Sequence, residues 1–281
     1  MDIELSFFLF KRRKGIIKVY NVPRLPYLVN MIKKGDKVVL WKTDGATLVD
    51  VDEETKKIPG IGIIDTRRFV GKDWGTEVEL GRDKYRLLQP AIKDAPKLIK
   101  REAQIVLPRI AVQIAFYCDI TCGKRVVEGG AGSGMMSAVL ANMVGPEGEL
   151  VTYELREDFI RTARTNLEKL GAAENWKLVK GDVTKDVKER TVDAFVVDIP
   201  EPWQALDMAG EALKNGGFFA GYVPSTNQLE RTVKKMRKNG FIDIKSFESL
   251  ERDMVIGDRG VRPSFDMLGH TGYVAVGRKT H

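Results

Sequence analysis

The stretch VVEGGAGSGMM, residues 126–136, constrains this chain more than any other. A β-branched run ends in glycines at positions 130, 132 and 134 and passes at once into the helix-forming MMSAVLANMVG. Glycine at alternate positions lets the backbone turn sharply and come close to a ligand. The helix that follows offers free N–H groups suited to a carboxylate or a phosphate. The segment is therefore expected to be a strand, a tight loop and a helix, a unit that belongs in a parallel α/β sheet. The dinucleotide fingerprint G-x-G-x-x-G is not met, because Met135 directly follows Ser133-Gly134.

The surrounding pattern agrees with that unit. From about residue 101 to residue 281, helical and strand periods alternate. RIAVQIAFYCDI, REDFIRTARTNLEKLG, QALDMAGEALKNGG and NQLERTVKKMRKNG read as helices. RVVEGG, GELVTYEL, WKLVKGD, VDAFVVDIP, FFAGYVP, FIDIKSFESLERDM and GYVAVGRK read as strands. The expectation is one parallel sheet covered on both faces, with ligands beyond the carboxyl ends of its strands. Residues 1–88 differ, with short β runs such as LSFFLF, IIKVYNV, KVVLW and TEVELG split by turns. They predict a small β domain, and the Pro-punctuated residues 89–100 a connector.

Acids recur where those strands end. Glu128 precedes the glycines, Glu154 closes GELVTYEL, Asp182 closes KLVKGD and Asp198 closes VDAFVVD. Glu154 stands where a carboxylate accepts from ribose hydroxyls, in nicotinamide enzymes as well as others, and Asp182 where one accepts from an adenine amino group. Glycine at every second position behind an acid is a habit of S-adenosylmethionine enzymes, and that cofactor is favoured over NAD. Lys and Arg exceed Asp and Glu by 46 − 39 = 7, which suits a polyanionic partner such as a nucleic acid. Cys118 and Cys122 read as buried thiols, and two histidines are too few for a zinc site of the usual kind. No apolar run is long enough to span a bilayer, and the basic cluster in SFFLFKRRK follows its apolar run, the reverse of a secretory signal. A cytoplasmic protein is expected.

Longer segments narrow the reading. DIPEPW at 198–203, GGFFAGYVPSTNQ and the closing RGVRPSFDMLGHTGYVAVGRK, together with VVEGGAGSG, resemble the TrmI-type tRNA (adenine-N1)-methyltransferases. The resemblance covers nearly the whole chain, and DIPEPW with the closing segment is its most specific part. It implies a Rossmann-like class I S-adenosylmethionine-dependent methyltransferase with a small N-terminal β domain, a homotetramer that modifies adenine 58, and in archaeal members also 57, of the tRNA T-loop. It implies that Glu128, Gly130, Gly132, Ser133 and Gly134 hold the methionine end of the cofactor, with Gln104 lining it. Glu154 then binds the ribose and Asp182 the adenine. Asp198 is the catalytic carboxylate, also beside the cofactor. Leu107, Trp203, Tyr222, Arg262 and His270 fall on the substrate side, with bracing the favoured role for His270. The family's Y-P-K-D is Leu107-Pro108-Arg109-Ile110 here, so an aromatic and an acid are missing. Two alternatives stand beside this reading: a noncatalytic tRNA-binding subunit, and a methyltransferase for another substrate.

Overall fold

The computed structural model describes residues 31–43, 45–52, 54–100, 105–172, 174–257 and 260–280. The expected strands LSFFLF and IIKVYNV, the basic KRRK and Gln104 lie outside the described residues. The chain divides into two compact units between Pro90 and Ala91.

The first unit holds β1 (Lys37–Lys42), β2 (Gly45–Asp50), β3 (Thr55–Ile58), β4 (Gly62–Asp65), β5 (Glu77–Leu80) and β6 (Asp83–Leu88). Its main sheet is antiparallel in the order β2-β1-β6-β5, and β3 and β4 pair separately. Val38, Leu40, Val78, Leu80, Tyr85 and Leu87 supply its core. In β5 and β6 the buried residues alternate with exposed ones, the period expected of a sheet with one wet face.

The second unit runs α1 (Ala95–Leu98), α2 (Pro108–Tyr117), β7 (Arg125–Gly129), α3 (Met135–Val144), β8 (Glu149–Glu154), α4 (Glu157–Leu170), β9 (Trp176–Lys180), β10 (Val192–Val197), α5 (Leu206–Ala212), β11 (Leu213–Val223), α6 (Thr226–Lys238), β12 (Phe241–Glu248), β13 (Met254–Gly257), β14 (Gly260–Pro263) and β15 (Tyr273–Lys279). Seven of these strands form one sheet in the order β12-β15-β11-β10-β7-β8-β9. From β7 the chain winds outward through β8 and β9, then returns to β10 on the other side. The carboxyl edge between β7 and β10 is thus a switch point of the kind that binds ligands.

Both faces of the sheet are buried, which explains the unbroken apolar runs. Val126, Ala194 and Val196 point into one core with α2 and α3, while Val127, Phe195 and Val197 point into another with α5. Phe195 and Phe219 are fully buried, with ring centroids 6.3 Å apart. Truncating either to alanine is expected to cost about 3–5 kcal/mol.

The sheet corrects three expectations. It is mixed, because β15 runs antiparallel to both β11 and β12. The expected helix QALDMAGEALKNGG stops at Ala212, where Lys279 Nζ donates to the Leu213 carbonyl at 2.7 Å and Leu213 pairs with Val192. The expected strand FIDIKSFESLERDM ends at Glu248, and Met254 opens a separate hairpin, β13–β14. Cys118 is buried as expected, but Cys122 is exposed, and both are free thiols. Among the described residues no helix is long and apolar enough to cross a membrane, and no cluster of His, Cys, Asp and Glu could hold a metal ion.

Candidate active site

A cavity of about 600 Å³ opens at the carboxyl edge of β7, β8, β9 and β10. Gly130, Gly132, Glu154, Asp182 and Asp198 all line it. Four turns well separated in sequence meet there because each follows a parallel strand of the same sheet.

Two glycines show what the loop requires. At Gly130, with φ +88°, an added Cβ would fall 2.2 Å from the Asp198 carbonyl oxygen. The loop after β7 therefore packs directly on the turn after β10, and Asp198 N–H donates to the Gly129 carbonyl at 2.8 Å. At Gly132, with φ +51°, a Cβ would meet nothing within 4 Å. That residue faces the cavity, and any side chain there would project into space a ligand needs.

The acids occupy three different settings. Glu154 tethers the glycine loop: its Oε2 accepts from Ala131 N–H at 2.9 Å and Gly132 N–H at 3.3 Å, and its Oε1 from Arg156 N–H at 2.9 Å. A carboxylate has about four acceptor positions, so Oε1 still has room for a ligand hydroxyl. Asp182 Oδ1 accepts from Thr184 N–H at 2.9 Å and its hydroxyl at 2.7 Å, and Lys185 Nζ is 3.2 Å from Oδ2. Burial pushes the Asp182 carboxyl up, but Thr184 and Lys185 prevail and hold it below the usual carboxylate range. Asp198 is the opposite case. Burial, and after it the negative charge of Glu154, pushes its carboxyl up to about 7.

Glu128 lies beneath the loop and not in the cavity. It is fully buried, and its Oε2 accepts from Ser137 Oγ at 2.6 Å and Thr152 Oγ1 at 2.5 Å. Trp176 Nε1 donates to that same Thr152 hydroxyl at 2.7 Å, which directs the threonine's own proton to the acid. Burial, then Asp198 and Glu154, pushes Glu128 up to about 8. Ser133 and Gly134 are likewise turned inward: the Ser133 carbonyl accepts from Asn166 at 2.8 Å, and Gly134 packs against Leu167. None of these three residues lines the cavity.

The expected substrate residues scatter more widely. Tyr222 is buried, and its hydroxyl donates to the Thr271 carbonyl. Trp203 packs with the α5 side of the core while Arg231 lies 5.0 Å over its ring. Leu107, at the head of α2, packs against the core of α2 and α3. His270 bridges Glu248 Oε1 at 2.6 Å and the Pro224 carbonyl at 2.9 Å, so it ties β12 to the turn after β11. Arg262 is exposed on β14, its guanidinium 4.4 Å over Phe265. None of these five lines the cavity.

Leu155, Phe159, Val183 and Ile199 also line the cavity, and the sequence reading missed them. Leu155 is 62% exposed despite being apolar. Leu155, Val183 and Ile199 each directly follow a strand-end acid, and that position was the available signal. Together they give the cavity greasy walls between polar ends, the usual make-up of a nucleoside site.

This geometry can be set beside known proteins. The family model described as the tRNA methyltransferase complex GCD14 subunit matches residues 95–262, more than half of the chain. The chain belongs to this family. Among relatives, the Methanocaldococcus jannaschii tRNA (adenine(57)-N(1)/adenine(58)-N(1))-methyltransferase TrmI is 34% identical over 247 residues, 78% of this chain and 86% of that protein. Two solved structures share the family's architecture along most of this chain. A SAM-dependent O-methyltransferase from Thermotoga maritima has 35% identity and a TM-score of 0.81 over 92% of this chain and 98% of its own. The tRNA (m1A58) methyltransferase TrmI from Aquifex aeolicus has 26% identity and a TM-score of 0.74 over 90% of this chain and 100% of its own. The fold is therefore the Rossmann-like class I methyltransferase sheet preceded by an antiparallel β region, as the family resemblance implies.

Proposed function

We propose that the protein is an S-adenosylmethionine-dependent tRNA methyltransferase that modifies N1 of adenine 58 in the T-loop, and adenine 57 as well. The observation that carries this reading is Asp198, a carboxyl at the wall of a cavity of nucleoside size, held there by the packing of its turn against the glycine loop.

The cofactor fits the residues present. Gly132 leaves its cradle open, Glu154 Oε1 and Asp182 Oδ2 retain acceptor capacity, and Leu155, Val183 and Ile199 flank the space between them. Glu154 would hold the ribose and Asp182 the adenine amino group, while Glu128, Ser133 and Gly134 keep the loop in shape beneath them. When bound, S-adenosylmethionine supplies an electrophilic methyl group.

The chain's own task is to position and activate adenine N1. N1 is a weak nucleophile because its lone pair is coupled to the exocyclic amino group. A carboxylate that accepts a hydrogen bond from N6–H drives electron density toward N1 and takes the proton as positive charge develops. Asp198 suits this task, since a base works best with a pKa near the working pH. Pro200 and Pro202 have fixed φ and stiffen the turn that aims it. His270, held between β12 and the Pro224 turn, braces the same edge.

The basic excess of the chain and the exposed Arg67 and Arg68 support tRNA gripping by the first unit, and a tRNA substrate fits work in the cytoplasm. Exposed apolar Ile256, Val261, Phe265 and Leu268 on and beside the β13–β14 hairpin support self-association into a homotetramer. Sedimentation of the free protein tests that assembly, and a monomer would overturn it.

The test of function is incubation of the protein alone with labelled S-adenosylmethionine and unmodified tRNA, followed by nucleoside mapping. Label in 1-methyladenosine at positions 58 and 57 is the expected result. Label on an oxygen would favour the second reading, O-methylation, which the name of the Thermotoga maritima relative motivates. No label without an added subunit would make this chain a noncatalytic partner.

A further inference from the structure

The carboxyl edge of the sheet holds a second group of polar side chains that the cofactor cavity does not use. Arg109 and Gln113 lie one turn apart on α2, and Thr271 precedes β15. Arg109 Nε, Gln113 Oε1 and Thr271 Oγ1 are each buried without a hydrogen-bond partner among the described residues. Glu251 Oε2 stands 3.3 Å from Arg109 Nε, close enough for an ion pair but off the line of a hydrogen bond. Buried polar atoms are nearly always paired, and orphans mark sites where something else binds. Tyr222 links the group to Asp198, because Gly221 pairs with Val197 and the two residues follow side by side at the ends of β11 and β10. Its hydroxyl is committed to the Thr271 carbonyl, and a Cβ on Gly272 would fall 2.5 Å from its ring, so the Thr271–Gly272 segment is pressed against it. Burial and then the Asp198 charge push the Tyr222 phenol up, while the Arg109 charge acts the other way, so the phenol feels both groups.

We propose that Arg109 anchors the target base, with its guanidinium and the Thr271 hydroxyl forming the polar wall of a base pocket that the Tyr222 ring lines on the side of Asp198 away from the cofactor cavity. This rests on the reading of the protein as an adenine methyltransferase. Adenine carries ring nitrogens other than N1 that accept hydrogen bonds, and a partly buried guanidinium whose Nε is shielded from water is a strong donor to such atoms. Leu107 is packed against the core and offers no polar atom, so within this segment the anchoring group is Arg109, two residues on. Arg109 is a specificity residue here, and Asp198 remains the base.

The test compares two T-arm RNAs, one with adenine at 57 and 58 and one abasic at both. Wild-type protein saturated with S-adenosylmethionine is expected to bind the first about tenfold or more tightly over the second, the range of one charged hydrogen bond. Arg109→Ala is expected to bring that ratio near one while cofactor affinity is unchanged, and Arg109→Lys to restore part of it. Glu251→Gln is expected to keep the wild-type ratio, because the ion pair is not what reads the base. If Arg109→Ala does not fold, Arg109→Lys and the Thr271→Val variant carry the comparison, each with a reduced ratio. A retained ratio in the Arg109 variants overturns the proposal, and so does equal weakening of both RNAs, which would make Arg109 a phosphate grip. Wild-type protein that leaves tRNA adenines unmethylated overturns the functional reading and this inference with it. Wild-type methylation with an intact ratio in Arg109→Ala overturns this inference alone.

Discussion

Asp193 and Asp198 belong to the same strand region, one near the start of β10 and one just past its end, and they meet opposite fates. At the amino edge, Asp193 Oδ2 accepts from Arg125 N–H at 2.9 Å, Lys214 pairs with Oδ1, and Lys124 Nζ stands 3.8 Å from it. Burial pushes Asp193 up, yet these partners outweigh it and hold the carboxyl below its usual range. At the carboxyl edge, Asp198 meets burial and a like charge from Glu154, and rises to about 7. Burial works in the same direction at both ends, so what differs is the company. A paired aspartate staples a sheet together, whereas an unpaired one is kept ready for chemistry at the expense of stability.

The largest expected break in this comparison is Asp198→Asn, which should slow methyl transfer about 10²- to 10⁴-fold while cofactor affinity, measured by calorimetry, stays near wild type. Full activity in that variant would remove Asp198 from the mechanism. The pH profile sharpens the point: free-enzyme kcat/KM should fall about tenfold per pH unit below about 7, and Asp198→Asn should lose that limb.

Stability should respond next. Glu128 and Asp198 have raised folded-state values, so their contribution is present below the unfolded values and is lost as pH rises through about 7 to 8. Glu128→Gln should therefore melt higher than wild type at pH 8, by up to a few kcal/mol, with the gap closing toward pH 5. A gap that widens on acidification would reverse the assignment. Asp193 has the opposite sign, with stability present above its unfolded value and lost as pH falls through its lowered folded one. Asp193→Asn should cost about 1–3 kcal/mol in a denaturant titration and leave kcat unchanged. Smallest of all, Arg68→Ala on the first unit should weaken tRNA binding modestly and lower its salt slope by about one. An unchanged slope would take that residue off the tRNA surface.

The sequence made one class of feature legible and hid another. Glu128, Glu154, Asp182 and Asp198 could be placed at strand ends because an apolar run with both faces buried stops abruptly at a charge, and a parallel sheet brings such ends together. Nothing local distinguished their environments, however. Glu128 looks like Glu154 in the sequence, yet one is sealed under α3 and the other lines the cavity. Leu213 reads as the end of a helix because Leu and Lys favour helices, but pairing with Val192 overrides that propensity. The antiparallel β15 was equally silent, since direction in a sheet leaves no trace in a buried apolar run. Arg109 reads as an ordinary helix-head cation, and only the burial of its Nε sets it apart.

The contact between Gly130 and the Asp198 carbonyl makes the glycine loop and the turn after β10 one mechanical body. Whatever settles on the loop also restrains the aspartate, and thermodynamic reciprocity requires the converse. The two substrates should therefore not add independently: each should lower the apparent dissociation constant of the other by the same factor. The strength of that mutual coupling then becomes a property of a single missing side chain.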